Sequence, residues 1–325
     1  MLIEESTQNQ FSASTVQRLV DDLPAGDVLV QVEYSSLNYK DALSANGNRG
    51  VTKSYPHTPG IDAAGKVIES NTSRFAPGDE VIVCGYDLGM NTSGGFGQLI
   101  RVPSTWVVNC PREISLRESM MLGTAGFTAA LCVEKLISNS VLPEAGEVLV
   151  TGATGGVGAV AVALLHQLGY SVVASTGKQD QHDFLKGLGA ARIIDRQILS
   201  DNSRKPLLKE QWVGAIDVVG GTTLSNIIKS LKYGGSVACC GLVGSTALDA
   251  TVLPFILRGV NLLGVDSVEL PLATKERIWT LLAREWKLDN LGEINTEIGF
   301  DSLITNLGDV LAGKAVGRML LNLNS

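Results

Sequence analysis

Val148-Leu149-Val150-Thr151-Gly152-Ala153-Thr154-Gly155-Gly156-Val157-Gly158 decides how this chain is read. A short apolar run ends in a glycine-dense turn, and the small, apolar segment AVAVALLHQLG (159–169) that follows has the composition of a helix. A strand, a glycine turn and a helix in that order are what a dinucleotide phosphate site needs. The glycines let the backbone bend sharply and approach a pyrophosphate. The helix amino terminus offers unspent N–H groups and the positive end of its dipole. Such turns also serve purely structural connections, but here the context on both sides is that of a nucleotide site.

Downstream, SVVASTG (171–177), ARIID (191–195), GAIDVVG (214–220), GSVACCG (235–241) and NLLGVDSV (261–268) supply further strands, with helix-patterned segments between most of them. Runs of Val, Ile, Ala and Leu without strict alternation fit a parallel sheet covered on both faces. Upstream, VLVQVEYSSL (28–37), GKVIES (65–70), DEVIVCGY (79–86) and GQLIRVPSTWVVNC (97–110) alternate with Gly, Pro and Asp turns, as in an antiparallel barrel. Residues 114–139 read as helix with a glycine break in the middle, and 273–290 as another helix. The tail ends in RMLLNL (318–323), long enough to return and add a strand to the first region. The pattern predicts an α/β protein of two domains. A β-barrel domain spans 1–118 and is completed by 269–325; a doubly wound parallel-sheet domain spans 119–268.

The chain has 325 residues, a net charge of −7, 45% hydrophobic and 18% charged residues. The acidic balance argues against a nucleic-acid partner. No apolar run approaches the ~18 residues needed to cross a bilayer, and MLIEESTQNQ is too polar for a secretory signal. Five cysteines without a CxxC pair fit free thiols in a reducing compartment. A cytoplasmic enzyme acting on a small molecule is the expectation.

NAD-binding sites of this kind place an Asp or Glu about 20 residues beyond the glycine turn, on the adenosine ribose. Here the second strand ends in Thr176-Gly177-Lys178. A hydroxyl, a glycine and a lysine accommodate a 2′-phosphate that a carboxylate would repel, so the expected cofactor is NADPH. Asp180 nearby pulls the other way.

With these features in place, the chain resembles the medium-chain dehydrogenases/reductases along nearly its whole length. It is more narrowly similar to their zinc-free branch of quinone oxidoreductases and acryloyl-coenzyme A reductases. The residues that carry the likeness are SSLNYKD (35–41), PGIDAAG (59–65), GTAGFTAALCV (123–133), TGATGGVG (151–158), GAIDVVG (214–220), CGLVG (240–244) and PFILRGVNLLGVDSV (254–268). The resemblance implies a GroES-like barrel with a Rossmann domain. Zinc-dependent members carry Gly-His-Glu where this chain has Gly60-Ile61-Asp62, and SSLNYKD holds no thiol. A catalytic zinc needs about three protein ligands, so no metal is expected.

The reaction implied is hydride addition to a carbon–carbon double bond conjugated to a carbonyl, as in acryloyl-coenzyme A. Such a site needs donors at the developing oxyanion and an apolar slot for the alkene. The resemblance puts Asn38 and Tyr39 against the nicotinamide, with Tyr39 offering a phenol that can donate a hydrogen bond or a proton. Asp62 reads as structural, and Asp41 as a helix cap. Together with the rule that ligands of doubly wound sheets sit at the carboxyl ends of strands, the resemblance assigns Thr154, Gly155, Gly156 and Val157 to the pyrophosphate. Thr176, Gly177 and Lys178 go to the adenosine end, and Gly241 and Leu242 to the nicotinamide ribose. Ile256, Ser267 and Arg318 are further cofactor candidates. Arg49, Lys53 and Arg101 are the basic residues considered for coenzyme A. Two alternatives stand beside this reading: an NADPH:quinone or enone oxidoreductase, and a nucleotide-binding protein without catalysis or with an RNA-binding role. The resemblance also implies a homodimer paired through residues 262–268.

Overall fold

Val28, Val30 and Val32 face one way along VLVQVEYSS and are buried, while Gln31 between them is exposed. That period of two builds the central strand of the first of two units. In the computed structural model, which describes residues 1–6, 10–201 and 204–324, this unit comprises Met1–Phe127 and Ser267–Ser325, and the second comprises Thr128–Asp266.

The first unit lays down β1 (Leu2–Glu5), β2 (Phe11–Ser14), β3 (Val28–Ser36), β4 (Asp62–Ser70), β5 (Glu80–Cys84), β6 (Leu99–Val102) and β7 (Val107–Asn109), with helix α1 (Tyr39–Ala45) between β3 and β4. Strands β1 and β2 form a separate pair. The larger sheet runs through β3, β4, β5 and β7, all antiparallel, with β6 also on β3. Its core gathers Val28, Val30, Val81, Val83, Ile100, Val102 and Val107. Each fully buried Val or Ile is worth about 1.5–3 kcal/mol relative to exposure.

Helix α2 (Leu116–Ser138) is kinked at Gly123, whose φ of 50° and ψ of −158° are not helical, where the glycine break was expected. Two expectations fail at α2. The domain boundary falls after Phe127 rather than after 118. Leu116, Met120, Met121 and Leu122 are buried, and Phe127 stacks on Trp279 of the same unit at 5.7 Å. The second boundary likewise precedes Ser267. And α2 is long and apolar enough to cross a membrane: an 18-residue window has mean hydropathy 1.4. That window is 78% buried within the protein, so its apolar surface is spent on packing.

In the second unit, β8 (Glu147–Val150), α3 (Gly156–Gln167), β9 (Ser171–Thr176), β10 (Arg192–Asp195), β11 (Trp212–Asp217), β12 (Leu231–Cys239) and β13 (Asn261–Gly264) alternate with further helices. All six strands are parallel, in the order β10-β9-β8-β11-β12-β13. Gly158 through Leu165 of α3 are all buried, which explains why no polar stripe marks that helix in the sequence. The chain then returns to the first unit. Helix Leu272–Ala283 ends short of the expected 290. β14 (Asn295–Ile298) and β15 (Arg318–Asn322) complete the larger sheet, with β15 antiparallel to β3.

Candidate functional site

The order of the parallel sheet reverses between β8 and β11, so their carboxyl ends mark the point where ligands of such sheets bind. Thr151 follows β8 and donates from Oγ1 to Oδ1 of Asp217, the last residue of β11, at 2.7 Å. Oδ2 of Asp217 accepts from the Gly220 N–H at 2.8 Å. Burial raises the Asp217 carboxyl above its ordinary value, against the pull of these bonds. One side chain thereby ties the glycine turn to the loop after β11.

The turn itself depends on Gly152, whose φ of 54° lies in the left-handed region. It also depends on Gly158, where a Cβ would stand 2.3 Å from the Gly152 carbonyl oxygen. Glycine at both places brings the start of α3 hard against the turn. The first N–H groups of α3, from Gly156 onward, have no acceptor within the helix. A cradle this close, lined by backbone donors, fits a pyrophosphate. Thr154 and Thr176 approach through their hydroxyls at 3.5 Å, so Thr154 to Val157 and Thr176 to Lys178 lie together. Gly241 and Leu242 follow β12 beside the same end, where a Cβ on Gly241 would meet the Val218 carbonyl oxygen at 2.2 Å. Ile256 is 69% exposed on helix Leu253–Arg258. Ser267 belongs to the first unit.

Arg196 was missed in the sequence. It follows β10, and a Cβ on Gly177 would lie 2.6 Å from its Nε, so the guanidinium passes directly over Gly177. No spacing rule finds it, because it comes from the neighbouring strand. Thr176, Gln179, His182 and Asp195 line a hollow of about 380 Å³ beside it. Asp195 is in register with Thr176, a carboxylate one strand over from where the sequence argument looked for one. Burial lowers the Lys178 ammonium and Asp180 opposes that shift.

In the first unit a buried polar cluster gathers around the start of α1. Asp62 opens β4, fully buried. Its Oδ2 accepts from Ser36 Oγ at 2.6 Å, Asn38 Nδ2 at 2.7 Å and the Thr124 N–H at 2.9 Å, and its Oδ1 from Thr124 Oγ1 at 2.5 Å. Arg318, from β15, stands 3.9 Å from Asp62. It donates to the Leu37 carbonyl at 3.0 Å, Asn38 Oδ1 at 3.2 Å and Ser36 Oγ at 2.7 Å. Asp41 accepts the Asn38 N–H on Oδ2 and the Ile61 N–H on Oδ1, both at 2.8 Å. Burial, and then the Asp62 charge, push the Asp41 carboxyl up to about 7. Burial and the same charge also push the Cys84 thiol well above its ordinary value.

These contacts change two expectations. The Asn38 amide is spent inside the protein, on Asp62, the Ser36 carbonyl and Arg318, so it does not stand ready to donate to an oxyanion. Arg318 is buried, with its fork committed to residues 36–38; only Nε lacks a partner among the described residues. It holds the loop rather than reaching outward. Tyr39, first residue of α1, is 38% exposed, and its phenol makes no hydrogen bond among the described residues. Arg49 pairs with Glu5, donates to the Lys53 carbonyl and covers the Tyr55 ring, and Arg101 donates to the Val20 carbonyl. Among the described residues, no group of three or more His, Cys, Asp or Glu could hold a metal ion.

Residues 24–112 match the family model for the alcohol dehydrogenase GroES-like domain, and residues 156–284 that for the zinc-binding dehydrogenase. The chain is 44% identical to the acrylyl-CoA reductase AcuI of Ruegeria pomeroyi, over 99% of this chain and 97% of that protein. It is 47% identical to YhfP of Bacillus subtilis, named as a quinone oxidoreductase, over 93% and 92%. Among solved structures, the yhdH oxidoreductase of Salmonella enterica in complex with NADP is 43% identical, with a TM-score of 0.96 over 99% of both chains. Bacillus subtilis yhfP with NAD bound also scores 0.96, at 44% identity over 99% of this chain and 98% of that one.

Proposed function

Because this chain belongs to the medium-chain dehydrogenase/reductase family, in the group of AcuI and YhfP, we propose that it is an NADPH-dependent oxidoreductase that reduces the carbon–carbon double bond of acryloyl-coenzyme A or a similarly short enoyl thioester. The kinship with AcuI over nearly the full length carries the substrate assignment. When bound, the reduced nicotinamide would supply a hydride to the β carbon, and a proton delivered to the α carbon from a nearby donor, directly or through water, would complete the reduction. The chain's own residues do the rest. Backbone N–H groups from Thr154 to Val157 hold the pyrophosphate. Thr176, Lys178 and Arg196 favour the 2′-phosphate through a hydroxyl and two cations, which supports NADPH over NADH although the YhfP structure carries NAD. Gly241 lets the backbone come close to the nicotinamide ribose. Tyr39 presents its free phenol to the substrate carbonyl, where charge develops, on a loop fixed by Asp62 and Arg318.

The alternative is an NADPH:quinone or enone reductase, favoured by the YhfP likeness. Steady-state turnover with NADPH separates the two. We expect kcat/KM for acryloyl-coenzyme A to exceed that for a simple quinone by more than about tenfold; equal values would overturn the thioester reading.

The chain's partners are read as small molecules alone, and its compartment as the cytoplasm, where the five free thiols stay reduced. A homodimer is read from β13, an edge strand of the parallel sheet, with Val252, Ile256 and Leu257 exposed on the segment before it. An uncovered apolar edge invites pairing. Light scattering should return about twice the chain mass at micromolar concentration; a monomer there would refute the dimer.

A further inference from the structure

We propose that Asp41, Asp62 and Arg318 are positioning residues acting as one charge-sharing cluster, which fixes the backbone at Asn38 and Tyr39 only while Asp41 is ionised. The inference rests on the reductase reading above, in which Tyr39 meets the substrate.

The geometry contains two buried carboxylates and one guanidinium. Four donors converge on Asp62, an acceptor-only arrangement. Asp41 sits across the same loop with one backbone N–H on each oxygen. A proton on Asp41 must occupy one of those oxygens and weaken its bond to Asn38 or to Ile61, the residues at the two ends of its reach. Four side chains share this electrostatic environment: Asp62 from β4, Arg318 from β15, the Cys84 thiol at the end of β5, and Lys275, whose ammonium donates to the Cys84 carbonyl at 2.7 Å. Burial first, and then the like charge of Asp62, hold the proton on Asp41. With Asp41 titrating at about 7, the loop is pinned above that pH and released as pH falls through it. Reduction should then show an acid limb with the same midpoint.

The test reads the protein without cofactor as well as its activity. In amide NMR spectra of the full chain, the Asn38 and Ile61 resonances should titrate together with a midpoint at about 7, and kcat/KM for enone reduction should follow the same midpoint. Asp41→Asn should abolish both titrations. Asp62→Asn should move the midpoint down by about one pH unit, since a like charge is gone. Arg318→Met should move it up by about as much, and it serves where the Asp62 variant does not fold. Amides that stay flat from about pH 5.5 to 9, spanning the carboxyl and imidazole ranges, would overturn the inference. So would midpoints that move in neither variant, or a kcat/KM without the shared limb. Amides that titrate in a protein unable to reduce any enone would instead remove the reductase reading.

Discussion

Replacing Gly123 by alanine should cost this protein both stability and activity. The backbone there has φ 50° and ψ −158°, a conformation that costs an L side chain about 1–3 kcal/mol. A Cβ built on it would stand 2.3 Å from Ser36 Oγ, 2.5 Å from Arg318 Nη2 and 2.6 Å from Asp62 Oδ2. None of these atoms has room to retreat, because each is bonded to another in the cluster. Overpacking of a tight interior adds about 1–3 kcal/mol. The total of roughly 2–6 kcal/mol should lower the unfolding midpoint by about 5–15 °C for a unit of this size. Reduction should fall further than stability explains, since the methyl group displaces the groups that hold Asn38. Thermal unfolding together with kcat at a temperature where the variant is folded would check this. A midpoint within about 2 °C of the parent would show that the cluster yields and that the kink does not constrain it.

The second large effect concerns cofactor choice. The double variant Lys178→Ala, Arg196→Ala should raise the KM for NADPH by about 100-fold while changing that for NADH little. Charge-assisted bonds to a phosphate are worth about 1.5–3 kcal/mol when desolvated. Arg196 is exposed and Lys178 half-buried, so about 1.4 kcal/mol each is the better scale, a factor of ten apiece. Asp195 and Asp180 would then dominate the local charge and repel a 2′-phosphate further. Parallel titrations of NADPH and NADH separate the outcomes. A rise that is equal for both cofactors would show that these cations serve the nucleotide in general and not its 2′-phosphate.

The parallel sheet and the phosphate turn were legible in the sequence because both are local. The run Val148–Val150, the turn at Gly152 and the start of α3 at Gly156 lie within a dozen residues, and each announces itself by composition. The return of RMLLNL to the first unit was equally readable from its apolar character and position. What escaped depends on chain segments that meet only in space. Arg196 reaches Gly177 from the next strand, so no motif links them. Asn38 reads in the sequence as an outward donor because the resemblance puts it, together with Tyr39, against the nicotinamide. Its inward direction follows from Asp62 and Arg318, which lie far away in the chain. The domain boundary slipped for a related reason: the glycine kink in α2 is visible in the sequence, but the burial of Phe127 against Trp279 is not.

The placement of Arg318 on β15 has a bearing on biosynthesis. It donates to Leu37, 281 residues earlier, so the ribosome delivers both acidic members of the cluster long before their cation. A nascent chain that buried Asp41 and Asp62 without it would leave charge uncompensated inside the protein, at a cost of several kcal/mol. The buried cluster of the first unit is therefore electrostatically complete only once its last strand has been synthesised.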